Sequence, residues 1–113
     1  MSADKGRTAE ALKGHLDLLL LSALQSRPSH GYAIAETLRG RSDQAFDLPE
    51  GTLYPALHRL ERGGLLSSRW SEENGRRRRV YQLTAKGQRE LAKRRGEWCA
   101  FARAVHAVVG GRP

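Results

Sequence analysis

The chain has 113 residues, which is enough for one small domain, and carries a formal net charge of +8. This excess of positive charge indicates a polyanionic partner, nucleic acid or an anionic membrane surface. One cysteine and four scattered histidines exclude a disulfide framework and give no pair at structural-zinc spacing, so we predict no metal site and no cofactor. Apolar runs such as Leu18–Leu21 are too short to cross a bilayer, and no signal-peptide pattern opens the chain. We therefore expect a cytoplasmic protein with no membrane partner.

The first predicted helix runs from Thr8, a plausible N-cap, to about Gln25, with leucines and alanines at helical spacing on one face. Leu18 and Leu21 widen the apolar surface beyond that face, so this helix is expected to contact something besides its own core. Arg27-Pro28 ends it, because the residue before proline disfavours the helical region.

A second helix is predicted from His30 to about Leu38, with Ser29 as its cap. In a helix-turn-helix this element crosses the phosphate backbone, so His30 and Tyr32 at its N-terminus could contact phosphate. The alternative for Tyr32 is a half-buried core tyrosine. The loop Gly40–Asp47 follows.

The third predicted helix is amphipathic. Thr52 is the predicted N-cap, which would place Pro55 in the first turn, and Gly63-Gly64 is expected to end the helix. The apolar positions, spaced for one buried face, are Leu53, Ala56, Leu57 and Leu60. The opposite face carries groups that suit a helix lying in a DNA major groove: Thr52, Tyr54, Pro55, His58, Arg59 and Arg62.

A β-hairpin is predicted next, with Asn74-Gly75 as its turn and a polar tip over Ser71–Arg78. The tip carries the run Arg76–Arg79. Taken alone, such a run is often just a solvated charge cluster. A helix of this kind followed by a basic hairpin is, however, the layout of a winged helix-turn-helix, which binds DNA.

The last predicted helix, Ala85 to about Val109 with Thr84 as its cap, carries a heptad-like apolar stripe. The stripe consists of Leu91, Trp98, Phe101, Val105 and Val108. A winged helix of about 80 residues cannot bury this stripe, so we predict a homodimer in which a second copy covers it, with Leu21 in the same interface. The alternative is that the helix folds back onto its own domain.

The predicted fold is therefore mainly α with a small β-hairpin. Residues 8–84 form a winged helix-turn-helix DNA-binding domain, and residues 85–109 form a dimerisation helix.

These segments resemble the PadR family of bacterial transcriptional regulators, in particular its short members with a single C-terminal helix. The resemblance covers almost the whole chain. It is carried by LKGHLDLLLLSAL, HGYAIAETL, EGTLYPALHRLERGGLL and RRVYQLTAKGQREL. It implies a dimeric repressor that binds an inverted-repeat DNA operator and releases it when a small effector binds. The positions that match DNA-contacting positions of the family are Tyr32, Thr52, Tyr54, Pro55, His58, Arg59, Gly75, Arg76, Arg77 and Arg78.

The resemblance also implies an effector site at the dimer centre. Trp98 matches the position where multidrug-sensing members stack planar aromatic compounds between two symmetry-related tryptophans, and Leu18 and Leu91 match pore-lining residues. Ala102 stands where those members have an acidic residue, so a preference for cationic ligands is not implied. Trp98 could instead be a packing residue of the interface.

Other function classes fit the sequence less well. No nucleophile–base pair or carboxylate pair indicates an enzyme: Cys99 and His106 are seven residues apart on one helix, too far for such a pair. The same two residues, contributed across a dimer, would suit a metal-responsive regulator. A winged-helix adaptor that binds protein instead of DNA is the third alternative, and the basic hairpin disfavours it.

Overall fold

The computed structural model describes residue 12 and residues 14–110. The elements in chain order are helix α1 (Leu16–Ala23), strand β1 (Ser29–His30), helix α2 (Gly31–Arg41), helix α3 (Glu50–Arg62), strand β2 (Leu66–Glu73), strand β3 (Arg76–Leu83) and helix α4 (Ala85–Val109). The strands form an antiparallel sheet in the order β1–β3–β2. The predicted class, mainly α with a small β-hairpin and a long C-terminal helix, is confirmed. The predicted cap Thr8 lies outside the described residues.

The core lies where α1, α2 and α3 meet the inner face of the sheet. Its side chains are mostly leucines, with Ile34 from α2 and Tyr81 from β3 almost completely buried. Leu21 and Leu91 belong to this core and are 0% and 2% exposed. They were predicted to lie at the dimer interface, and Leu91 also to line the effector site. The domain itself covers both side chains in this protomer, so their roles at a dimer interface and in an effector site stay predictions.

The start of α2 differs from the prediction. His30, rather than Ser29, caps the helix, and its Nδ1 accepts a hydrogen bond from the Ala33 amide at 3.2 Å. Ser29 and His30 form a short strand that pairs with Tyr81 and Val80. The hairpin therefore gains a third strand, which joins α2 to the sheet.

Helix α3 also begins earlier than predicted. Pro49 is the cap, and its carbonyl accepts from the amides of Thr52 and Leu53 at 2.9 and 3.0 Å. Pro55 therefore lies in the second turn, where it cannot donate to the carbonyl of Gly51. The predicted end is confirmed: Gly64 has φ +80°, and the Leu65 amide bonds back to the Leu60 carbonyl at 3.0 Å.

The hairpin has eight residues in each strand. Its two-residue turn has positive φ at Asn74 and Gly75, 51° and 76°, as a type I′ turn requires. The turn prediction is confirmed. The polar tip, however, is paired strand right up to the turn, with Glu73 opposite Arg76.

Helix α4 is capped by Thr84, whose Oγ1 accepts from the Gly87 amide at 3.0 Å, as predicted. Past Leu91 much of the apolar stripe of the helix is exposed: Trp98, Phe101, Val105 and Val108 are 42%, 59%, 41% and 86% accessible. Across residue 12 and residues 14–110, no helix combines the length and apolar character needed to cross a membrane.

Candidate nucleic-acid interface

A groove of about 490 Å³ opens between the N-terminus of α2, helix α3 and the hairpin, which we call the wing. Its lining is aromatic and basic: His30, Gly31, Tyr32, Tyr54, Trp70 and Arg76–Arg79. Predicted site residues from three separate segments are thus brought together at one surface. Guanidinium groups and aromatic faces are the chemistry that contacts phosphate and sugar.

The N-terminus of α2 contributes one exposed and one structural side chain. Tyr32 is 64% accessible, so the alternative of a core tyrosine is wrong. The His30 ring stacks on Tyr32 with 6.5 Å between centroids. Partial burial, with Arg78 Nη1 only 2.9 Å from Nε2, lowers the pKa of His30. His30 therefore has a structural role: it caps α2 and contacts Arg78 of the wing.

Gly31 sets the distance between α2 and α3. A Cβ at this position would lie 2.5 Å from the hydroxyl and 2.6 Å from a ring carbon of Tyr54. The ring of Tyr54 thus packs directly over the Gly31 backbone, which explains why a glycine suits the HGY segment.

We expect Gly31→Ala to displace Tyr54, because the added methyl group occupies the space of its ring. The ring is the end of a side chain that can rotate away, so the cost in stability should be modest, about 1 kcal/mol. DNA affinity should fall more than that, since Tyr54 would no longer line the groove. Gly51→Ala is the matched control, because nothing lies within 4 Å of a Cβ there. Equal DNA affinity for the two variants would show that Tyr54 does not act at the interface.

Trp70 is a candidate interface residue that the sequence interpretation did not single out. It lies on β2 and is 55% accessible, with the guanidinium carbons of Arg77 and Arg79 at 4.7 and 5.3 Å from its ring centroid. Cation–π attraction orders both arginines over the ring. One feature of the sequence could have identified Trp70: it is a large aromatic residue among polar residues of a strand, beyond Leu66, the last core position of that strand.

A second set of contacts attaches the wing to α3. Arg79 Nε donates to Ser68 Oγ at 2.9 Å, and Ser68 Oγ donates to Glu61 Oε2 at 2.6 Å. Arg79 Nη2 lies 3.7 Å from the same carboxylate oxygen. Arg79 therefore holds the wing at one angle to the helix, while Arg76 and Arg77 remain exposed.

The predicted residues of α3 separate into two groups. Thr52, Pro55 and His58 are exposed. Arg59 is engaged elsewhere: its Nη2 and Nη1 donate to the two carboxylate oxygens of Asp17 on α1 at 2.7 and 3.0 Å. These hydrogen bonds, reinforced by the charges of Arg59 and Arg94 and opposed by burial, lower the pKa of Asp17. Arg59 does not line the groove, and a DNA contact by this residue stays a prediction.

A smaller pocket of about 250 Å³ lies against the exposed part of α4. Its lining comprises Gly14, His15, Leu18, Arg94, Glu97, Trp98 and Phe101. The ring of Trp98 meets His15 edge-on, with 5.1 Å between centroids. Leu18 lines this pocket and Leu91 does not, and the effector site itself stays a prediction.

The metal alternative gains no support in the described part of the chain. Cys99 and His106 are both exposed on α4. Among residues 12 and 14–110, no group of three His, Cys, Asp or Glu side chains is arranged to hold a metal ion.

The chain is similar to known regulators in sequence and in structure. Residues 20–93 match the transcriptional regulator PadR-like family. A transcriptional regulator of Mycobacterium tuberculosis is 39% identical over 83 residues, covering 74% of this chain and 72% of that protein. A transcriptional regulator structure from Clostridium thermocellum has a TM-score of 0.78 at 31% identity, covering 87% and 96% of the two chains.

A PadR family transcription regulator from Clostridium difficile has a TM-score of 0.72 at 35% identity, covering 86% of this chain and 99% of that one. These relatives are regulators and not enzymes. The matched region runs from within α1 through α2, α3 and the wing to the buried start of α4. The chain therefore belongs to the PadR-like family of transcriptional regulators.

Proposed function

We propose that the protein is a cytoplasmic, homodimeric repressor that binds an inverted-repeat operator in double-stranded DNA. Helix α3 enters the major groove with Thr52, Tyr54, Pro55 and His58, and the wing and Tyr32 contact the flanking phosphates. The observation that carries this proposal is the convergence of exposed aromatic and arginine side chains from α2, α3 and the wing on one groove. Such a surface matches a phosphate backbone in charge and a base-pair edge in hydrogen-bonding capacity.

The dimer is proposed because α4 carries an exposed apolar stripe, Trp98, Phe101, Val105 and Val108, that the protomer does not cover. A second α4 packed along this stripe would remove it from water. The two-fold axis would also place two copies of α3 on one face of the DNA, about one helical turn apart.

DNA release is proposed to follow the binding of a small planar aromatic ligand at Trp98. The pocket beside this residue offers aromatic edges from His15 and Phe101 and an apolar wall from Leu18. A ligand lodged there would move α4 relative to its partner and change the spacing of the two recognition helices.

The decisive experiment is a gel-shift titration with the DNA upstream of the protein's own gene, at physiological salt and with competitor DNA. A discrete competitor-resistant band is expected. If only salt-sensitive smearing appears, selection from a random DNA pool follows, and an enriched inverted repeat is then expected. Failure of both experiments would contradict the repressor and favour the protein-binding adaptor.

We expect Arg77→Ala to weaken binding to all DNA sequences alike. A phosphate contact releases counterions, so its loss should reduce the slope of log affinity against log salt by about 0.9 for each half-site. Arg103→Ala, which removes the same charge from an exposed position far along α4, is the control. A salt slope that changes equally in both variants would mean that the wing does not touch phosphate.

Ligand binding is tested by tryptophan fluorescence in a Trp70→Phe background, where Trp98 is the remaining tryptophan of the two in the chain. A neutral planar aromatic compound is expected to quench this emission and, at the same concentration, to reduce operator binding. Quenching of the Trp98 emission without release of DNA would mean that the pocket binds the compound but does not regulate DNA binding. Trp98 would then be a packing residue.

A further inference from the structure

One carboxylate on α1 contacts both the recognition helix and the dimerisation helix. Asp17 is 18% accessible and accepts two hydrogen bonds from Arg59 of α3, at 2.7 and 3.0 Å. Its Oδ2 also lies 3.6 Å from Nη1 of Arg94 on α4. Two guanidinium groups from two different helices therefore share one largely buried carboxylate.

The Arg94 side of this cluster reaches the pocket of Trp98. Arg94 lines that pocket, and its Nε donates to Glu90 Oε2 at 2.7 Å, one helical turn back along α4. A ligand in the pocket, or a shift of α4 against a partner helix, would change the position of Arg94. The distance from its guanidinium group to Asp17 would change with it.

The Arg59 side of the cluster reaches the DNA-facing helix. Arg59 follows His58, which is exposed on the same helix, and its bidentate pair with Asp17 holds α3 against α1. Bidentate arginine–carboxylate pairs fix orientation as well as distance. How strongly Asp17 holds Arg59 depends on the second cation, since both guanidinium groups approach the same oxygen, Oδ2.

We propose that Asp17 is a positioning residue that couples α4 to the recognition helix. Movement of Arg94 at the Trp98 pocket changes the strength of the hydrogen bonds between Asp17 and Arg59. This in turn changes the orientation of α3 relative to the operator DNA. The inference rests on the proposed binding of DNA through α3, and it supplies the route by which that binding is regulated. It also gives Arg59 a role in positioning α3 that does not require a direct contact with DNA.

The test is a double-mutant cycle on the full-length chain with Asp17→Asn, Arg94→Met and the double variant. The quantity measured is the ratio of affinity for the selected operator to affinity for random DNA. Asp17→Asn should lower this ratio, because Arg59 becomes free to bind any phosphate. Arg94→Met should change the ratio at least about threefold in the wild-type background and leave it unaltered in the Asp17→Asn background.

The matched control is Arg95→Met, which removes the same charge one residue further along α4. Arg95 Nη2 pairs with Gln25 and not with Asp17. The effect of Arg95→Met on the affinity ratio should therefore add to the effect of Asp17→Asn. Asp17→Glu, which keeps the charge, should recover part of the lost ratio, and melting temperatures of all variants show whether each one is folded.

The outcomes separate the two proposals. A wild-type protein that prefers no DNA sequence overturns the proposed function and this inference together. A wild-type protein that binds its operator, with additive effects of Asp17→Asn and Arg94→Met, overturns the coupling alone. Loss of the Arg94→Met effect in the Asp17→Asn background, with Arg95→Met still additive, supports the coupling.

Discussion

Replacing Gly87 with alanine should lower the free energy of unfolding by roughly 2–4 kcal/mol. A Cβ at Gly87 would lie 2.0 Å from the carbonyl oxygen and 3.0 Å from the carbonyl carbon of Leu65. Both are backbone atoms, so a rotamer change cannot relieve the clash, and the first turn of α4 must move away from the end of α3. That movement would break the hydrogen bonds from Thr84 N to Leu65 O, at 3.1 Å, and from Thr84 Oγ1 to Gly64 O, at 2.6 Å.

Thermal unfolding at one fixed protomer concentration measures this effect, because a dimer's stability depends on concentration. Gly96→Ala is the control in the same helix: nothing lies within 4 Å of a Cβ there. Since alanine favours the helix over glycine, this variant should be more stable by about 0.5–1 kcal/mol. Equal melting temperatures for Gly87→Ala and the wild type would mean that α4 does not pack on Leu65 as described.

Phe101→Lys should convert the proposed dimer into a monomer and weaken operator binding by about 100-fold or more. Phe101 is 59% accessible in the middle of the apolar stripe, next to Trp98, with 6.1 Å between the ring centroids. A lysine on each of two facing helices would place like charges in an apolar seam, where they lose hydration without gaining a partner. Each protomer would then bind one half-site alone and would lose the increase in affinity that comes from linking two DNA-binding units.

Sedimentation equilibrium gives the oligomeric state, and the gel-shift titration gives the affinity. Ala100→Lys adds the same charge outside the apolar stripe, at an exposed position about 100° around α4 from Phe101, and should remain dimeric with normal affinity. Affinity for random DNA should be similar in both variants, since both keep the groove intact. A dimeric Phe101→Lys protein would contradict the interface, and a monomeric one with normal operator affinity would contradict the two-fold mode of binding.

The local sequence determined the elements that depend on neighbouring residues. Gly63-Gly64 ends α3 because only a residue tolerant of positive φ can close that turn, and Asn74-Gly75 makes the hairpin turn for the same reason. Thr84 caps α4 through a bond that spans three residues. Apolar periodicity likewise identified the buried face of α3, namely Leu53, Ala56, Leu57 and Leu60.

The tertiary structure decided which partner each side chain meets. Periodicity shows that Leu21 and Leu91 are apolar, but it does not say whether their own domain or a second copy covers them, and here the domain does. The pairing of Arg59 with Asp17 joins residues 42 positions apart, and no local pattern marks it. Gly87 likewise looks like an ordinary helical glycine until the fold brings Leu65 against it. Composition and spacing therefore sufficed for the fold class, and the resemblance of whole segments indicated the family, whereas the contacts that position α3 arise only when distant segments pack together.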